Sequence, residues 1–348
     1  MCGILKFIEM KHTCLHAKHQ ALGAKLVPFV DWEMPIWYTS IQSEHTAVRT
    51  RSGVFDVSHM GLFALSGSPD AFGQLQRLSC QTLAGIESGK LVYTFLLNES
   101  GGILDDVVVG QSEPGHWFMV VNASNQAKIH AWLRTQCPDI TLTVCNDRDG
   151  LIAWQGPEVA ELLNLEGFRP WTHEHRSILG YSARVMRTGY TGEDGVEIWA
   201  SHATIQGIWE ELMGLGVVPC GLGSRDTLRI EAGLPLYGQE LDETITPYHT
   251  RYARLVKTHA FIGSEALQSV NPTETTMVGL VLNGGAIART GAEILGGGRV
   301  TSGTRVGTQS IAMARVSPAQ AQQSELQVCI RDRQHTAQVV PLPFLNRS

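Results

Sequence analysis

Between Thr188 and Gly238 the chain sets charged residues among apolar ones and punctuates them with glycines, a combination that restricts how this stretch can fold. Residues 188–199 read Thr-Gly-Tyr-Thr-Gly-Glu-Asp-Gly-Val-Glu-Ile-Trp, and 221–238 read Gly-Leu-Gly-Ser-Arg-Asp-Thr-Leu-Arg-Ile-Glu-Ala-Gly-Leu-Pro-Leu-Tyr-Gly. Gly189, Gly192 and Gly195 suit turns with positive φ or a close backbone approach. Glu197 lies in a Val-Glu-Ile-Trp run that reads as a strand. A carboxylate there, and Arg225 in a glycine-rich turn, are costly to bury unless something pairs with them. A surface strand followed by an Arg–Asp cap fits the local pattern equally well.

A second feature lies upstream. Asn98-Glu-Ser-Gly-Gly102 reads as the turn of a hairpin between Leu91–Leu97 and Ile103–Val109. Alternation puts Leu104, Asp106 and Val108 on one face of the second strand and Ile103, Asp105 and Val107 on the other. Aspartate is depleted in strands, so two in an apolar run demand a reason. One of them half-buried would have its proton affinity tuned by desolvation and neighbours. The alternative is one Asp closing the hairpin and the other facing water.

Length and composition bound the rest. At 348 residues, two or three domains and a large core are expected. Hydrophobic content of 43% and 17% charged residues fit a soluble globular chain, and a net charge of −6 argues against nucleic-acid binding. No apolar run is long enough to span a membrane. Seven scattered cysteines without a Cys-x-x-Cys pair fit reduced thiols in the cytoplasm. Met1 to Met10 resembles neither a signal nor a transit peptide, and Met10 is an alternative start.

Helical periodicity is clearest at 47–51, 70–78, 125–137, 158–163, 203–215 and 224–231. Strand-like runs occupy 54–57, 62–66, 91–97, 103–109, 117–121, 141–145, 151–154, 183–187 and 196–200. Beyond about residue 275 short strands alternate with glycine-rich turns such as Gly284-Gly285 and Gly296-Gly-Gly298, which predicts a small β-barrel. The fold class is α+β with a separate C-terminal domain.

The chain resembles the aminomethyltransferase (T-protein) family of the glycine cleavage system. Besides the two central blocks, the resemblance rests on Leu22–Phe29, Trp32-Glu-Met-Pro35, Glu44–Arg49, Phe55–Gly61, Leu97–Asp106, Val121–Asn125, Leu151–Pro157, Phe261–Leu267, Val300–Gly303 and Leu342–Phe344, in the family's order and spacing. It implies a three-domain cloverleaf around a central folate cavity. Residues 11–50 plus 150–245 would form a discontinuous first domain, 51–149 a second carrying the aspartate strand, and 246–348 the barrel. It also implies transfer of a methylene group from an S-aminomethyl-dihydrolipoyl carrier (the H-protein) to tetrahydrofolate with release of ammonia, by a monomer that needs no metal.

By the same resemblance Asp106 is the catalytic carboxylate, with Asp105 serving stability. Glu197 holds the pterin edge as a bidentate acceptor. Arg225 contacts folate polar groups or holds an acid, a purely structural ion pair being the alternative. Tyr93, Asn122 and Tyr190 line the cavity, and His59 supports its wall. His12, His16 and His19 have helical spacing that suits a metal, as do His173 and His175, but they lack cysteine or carboxylate companions.

Four positions depart from the family pattern. They are Asp31, the Tyr248–Arg254 segment (normally Leu-Glu-Ala-Gly-Leu-Gly and an aromatic), Thr276-Met277, and Leu345 in place of a folate-contacting tyrosine. They leave two rivals: a folate-dependent demethylase of the same superfamily using another methyl donor, and a non-catalytic folate-binding assembly factor. Arg251, Arg254 and Lys257 form a basic strip suited to an acidic carrier.

Overall fold

The hairpin expected at Asn98–Gly102 forms between strands β1 (Leu91–Leu97) and β2 (Ile103–Glu113), which pair antiparallel. Asn98 N–H donates to the Gly102 carbonyl (2.8 Å), and Gly102 N–H donates to Asn98 Oδ1 (2.9 Å). Gly101 takes φ +82°, a left-handed conformation that favours glycine. One detail corrects the simple alternation. A β-bulge sets Leu97 opposite Ile103 and Leu96 opposite Asp105, leaving Leu104 between them. Leu104 therefore packs with Leu96, Val107 and Val109, not beside Asp106. Ile103 joins Phe95 and Leu97 instead, and Phe95 is the residue directly opposite Asp106.

The computed structural model describes residues 10–83, 85–271, 274–283 and 285–345. Met1, Cys2 and Gly284 of the expected Gly284-Gly285 turn lie outside the described residues. Strands β1 and β2 belong to a five-stranded antiparallel sheet that continues through His116–Val121 and Gly61–Ser66 to Thr141–Val144. Helices Phe72–Leu78 and Gln126–Gln136 close one face of it through Leu75, Leu78, Ile129 and Leu133.

A six-stranded sheet runs His173–Ile178, Tyr181–Met186, β3 (Gly195–Ser201), Asp149–Gln155, Gly53–Asp56 and Val218–Cys220, the last pair parallel. Helix His202–Gly214 covers it with Ile205, Ile208, Trp209 and Leu212. The chain thus leaves this sheet after Asp56 and returns at Asp149. A third sheet, ordered Arg299–Val306, Gln309–Val316, Thr276–Leu282, Arg333–Val340 and Glu325–Ile330, wraps a core of Leu280, Val300, Ala314 and Val328.

Helix α1 (Leu222–Glu231) joins the three units. Leu228 packs between the first two sheets with Phe55, Leu151 and Phe118, whereas Ile230 meets Ile311 and Met313 of the C-terminal sheet. Its N-terminus is fixed from a distance: buried Glu44 accepts Gly221 N–H (2.9 Å) and the Ser224 hydroxyl (3.1 Å). Such acceptors satisfy donors that a helix start leaves open.

The expected strands and helices are present, most with ends shifted by a few residues, but the helix expected at 47–51 runs Ile41–Thr50 and lies mostly before its expected start. Three strand pairings are additional, one of them the short parallel strand Val218–Cys220 beside Gly53–Asp56. The hairpin Lys25–Phe29/Trp32–Trp37 contains Pro28 and Pro35, which argue against a strand on sequence but are tolerated in a two-stranded ribbon. Strand His173–Ile178 reads His-Glu-His-Arg-Ser-Ile and forms because Tyr181–Met186 pairs with it.

Candidate active site

Asp105 and Asp106 leave β2 side by side yet meet again at one amide. Asn122 Nδ2 donates to Asp105 Oδ1 at 2.8 Å and to Asp106 Oδ1 at 2.7 Å. Asp105 is fully buried and also accepts Asn122 N–H (3.1 Å) and Asn125 Nδ2 (2.6 Å). Asp106 is half-buried and accepts the Tyr93 hydroxyl at 3.0 Å. Burial pushes both carboxyls up, the charge of Asp106 adding to the rise at Asp105, while the Asn122 and Tyr93 hydrogen bonds oppose it. The Tyr93 ring stands edge-on to Tyr252 at 5.7 Å and to Phe95 at 5.7 Å, so aromatic surface flanks the Asp106 carboxylate.

The glycine-rich stretch builds a second group. Gly189 has no room for a side chain, because a Cβ there would stand 1.7 Å from Gln155 Oε1, and Gly192 sits at φ +78°. The resulting turn delivers Thr188, whose hydroxyl donates to Glu197 Oε2 at 2.6 Å, and Tyr190, whose hydroxyl donates to the Pro235 carbonyl. Leu345 packs onto the same turn, 2.9 Å from the position a Gly192 Cβ would take.

Arg225 extends from α1 with its guanidinium 4.9 Å from the centre of the Tyr190 ring and 6.0 Å from that of Phe55. Its Nη1 is buried and has no hydrogen-bond partner. Burial lowers the proton affinity of this group, and nearby Glu197 and Tyr190 oppose that. Arg229, one turn later, is fully engaged: it reaches Asp226 (2.9 Å), Glu240 (2.8 Å) and Ser302 (2.6 Å).

Tyr190 connects the two groups: burial raises its pKa, and the charges of Arg229, Asp106, Glu240 and Arg225, in that order, act on its hydroxyl. A pocket beside it is lined by Pro235, Leu241, Tyr252, Met277, Met313 and Leu342, between the segment after α1 and the C-terminal sheet. Tyr252, Thr188 and Asn125 were not singled out from sequence. Tyr252 lies inside the Tyr248–Arg254 segment that departs from the family pattern, and no signal within that segment singled it out.

The histidines separate. His19 turns into the core, where Nε2 meets Asp56 (2.9 Å) and Nδ1 meets the Tyr38 hydroxyl (2.8 Å). His12 and His16 stack instead and approach Glu33 Oε2 at 3.7 Å and 2.6 Å, so a neighbouring strand supplies the carboxylate that their spacing lacked. The ligand atoms of these three residues lie within 4.8 Å of one another. His59 is buried with an unpartnered Nδ1, and burial lowers its pKa to about 4. All three residues of the basic strip are exposed; Arg251 is tied to the Gly233 and Leu342 carbonyls and the Lys257 ammonium to the Arg254 carbonyl.

Comparison with known proteins decides the family. Residues 15–260 match the GCVT N-terminal domain and residues 276–346 the glycine cleavage T-protein C-terminal barrel domain. The aminomethyltransferase of Deinococcus deserti is 38% identical over 96% of this chain and 97% of its own, and that of Thermosynechococcus vestitus 42% identical over 97% and 96%. The crystal structure of the glycine cleavage system aminomethyltransferase T from Bartonella henselae superposes with a TM-score of 0.88 at 30% identity, covering 97% of this chain and 98% of that one. The chain belongs to the glycine cleavage T-protein family.

As a T-protein it is an enzyme of the aminomethyltransferase class, and the demethylase and assembly-factor readings are not favoured. The α+β fold with a C-terminal barrel domain stands as expected. No helix among the described residues is long and apolar enough to cross a membrane.

Proposed function

We propose that this T-protein transfers the methylene carbon of an S-aminomethyl-dihydrolipoyl carrier protein to tetrahydrofolate at the site around Asp106. The carbon–sulfur and carbon–nitrogen bonds of the donor break, and two bonds from carbon to folate nitrogens form. The two protons that leave those nitrogens end on ammonia and on the lipoyl thiol. The observation that carries this reading is the setting of Asp106, a half-buried carboxylate held by Tyr93 and Asn122 amid aromatic surface. There a negative charge orients the attacking ring amine and stabilises the positive charge it acquires, an effect that water would weaken.

Glu197 takes the pterin amine and ring N–H, with Thr188 holding one of its oxygens. The unpartnered Nη1 of Arg225 fits an acceptor atom of the same ligand. Tyr190 and Tyr93 supply flat walls, and the Asn122 amide holds the carboxylates. We propose the three-domain division of the family cloverleaf, with the first boundary after Asp56, where the chain leaves the six-stranded sheet, instead of at residue 50, and a monomeric protein in the cytoplasm. The six described cysteines are all free, which supports a reducing setting.

Ammonia release from an aminomethylated lipoyl carrier, with and without tetrahydrofolate, tests the reading. Asp106→Asn should lower the folate-dependent rate by about two orders of magnitude or more while folate affinity changes little. A variant with near-native turnover overturns the assignment.

A further inference from the structure

The catalytic reading leaves Asp105 without a task, yet it is the better-anchored of the two carboxylates. Three N–H donors converge on it, from the Asn122 backbone, the Asn122 amide and the Asn125 amide. Every polar contact made to it is a donor, so a proton placed on Asp105 finds no acceptor among them. Asp106 differs: it takes one hydroxyl and one amide, is half-buried, and lies on the aromatic face. Because the Asn122 amide nitrogen bonds both carboxylates, their oxygens are no farther apart than those two hydrogen bonds laid end to end. Like charges that close in a dry setting interact strongly.

We propose that Asp105 is a positioning residue for the transfer reaction: through the shared amide of Asn122 it fixes the Asp106 carboxylate, and its buried negative charge makes Asp106 a stronger proton acceptor. This rests on the proposed role of Asp106. The chemistry needs such a group, since protons leave folate nitrogens while an amine must be protonated to depart. A lone exposed aspartate ionises near pH 4 and is a feeble base at neutral pH. The titratable groups on which the aspartate charges act are Tyr93, Tyr190 and Tyr252 for Asp106 and Tyr237 for Asp105, and of these Tyr93 donates a hydrogen bond to Asp106. Burial pushes all four tyrosines upward, so they stay neutral where the aspartates titrate. The charge interaction that couples to proton uptake in this cluster is therefore the mutual one between Asp105 and Asp106, which the shared Asn122 amide holds close.

The test is direct titration of the Asp106 carboxyl by carbon-13 NMR of the full chain labelled at aspartate, with the signal assigned from its loss in Asp106→Asn. Asp105→Asn should lower the Asp106 midpoint by about one pH unit or more. The acid limb of the folate-dependent rate should move to lower pH by a similar amount. A structural role for Asp105 would lower stability and leave both midpoints in place, and that result overturns the proposal. If Asp105→Asn does not fold, Asn125→Ala serves: it strips one donor from Asp105 alone, and the Asp106 midpoint should again fall. Unmoved midpoints in that variant refute the idea equally. The titration needs no turnover, so a chain whose Asp106 midpoint responds but which releases no ammonia with tetrahydrofolate fails the functional reading and not this one.

Discussion

Replacing Arg225 with methionine separates a ligand-binding arginine from a structural one, because the two roles predict opposite balances of stability and affinity. In the free protein the side chain holds a buried Nη1 without a partner. An unsatisfied buried donor costs about 1–3 kcal/mol, which the substitution relieves. Against that, the stack of the guanidinium over Tyr190 is lost, at about 0.5–2 kcal/mol. The two nearly cancel, so unfolding in urea should show a stability change within about 1 kcal/mol. Folate loses a hydrogen bond from a charged donor, about 1.5–3 kcal/mol, so calorimetric titration with tetrahydrofolate should show affinity falling roughly ten- to hundredfold. A buried ion pair would behave otherwise, since removing one partner costs about 3–5 kcal/mol of folding stability. A variant destabilised by that much, with folate affinity intact, refutes the reasoning and makes Arg225 structural.

Glu197→Gln turns a donor toward the donor edge of the pterin, and calorimetry should record roughly a tenfold loss or more for tetrahydrofolate; an unchanged constant removes Glu197 from the site. Asp56, buried on His19, Thr13 and Ser58, is held down to about 2 by those hydrogen bonds and the His19 charge, which outweigh its burial. Its folded pKa lies below the unfolded one, so its contribution of about 2 kcal/mol is present above pH 4 and is lost as pH falls from about 4 to 2. Asp56→Asn should accordingly flatten the acid side of a pH–stability curve, and an equally steep acid limb counts against this pair. Arg254→Glu with Lys257→Glu should raise the carrier concentration needed for half-saturation at low salt; unaltered saturation excludes this strip as the docking surface. Arg251 is left out because its two carbonyl contacts make it part of the fold.

Local chemistry was the part of this molecule that could be read before its structure. A hairpin turn of Asn-Glu-Ser-Gly-Gly between two apolar runs admits few alternatives, and it forms. The bulge behind it was not legible, because it depends on which residue of β1 faces which residue of β2, and both Ile103 and Leu104 are apolar. That single extra residue decided Asp106's neighbours. The arrangement of the three histidines was hidden for a related reason. Helical spacing aligns His12, His16 and His19 only if a helix spans them, but the helix begins at His16, so His19 points inward and His12 precedes it.

The two arginines of α1 show where local reading stops. Arg225 and Arg229 stand four residues apart on one helix, hence on nearly the same face, in a motif that gives no reason to treat them differently. Their difference comes from elsewhere in the chain. Glu240 lies in the loop after the helix and Ser302 in the C-terminal sheet, and together they saturate Arg229. One turn earlier the guanidinium meets Tyr190 and Phe55, whose rings attract its charge but accept no hydrogen bond in the plane of its Nη1. A fold that satisfies one arginine with long-range partners and surrounds the other with rings has left a strong donor for something outside the chain. The same contrast holds for the aspartates: Asp105 is saturated by the asparagines and Asp106 is left half open. In each pair one residue is saturated within the chain and the other has fewer partners, and that contrast, more than any one motif, is what supports the proposed ligand site at Asp106 and Arg225.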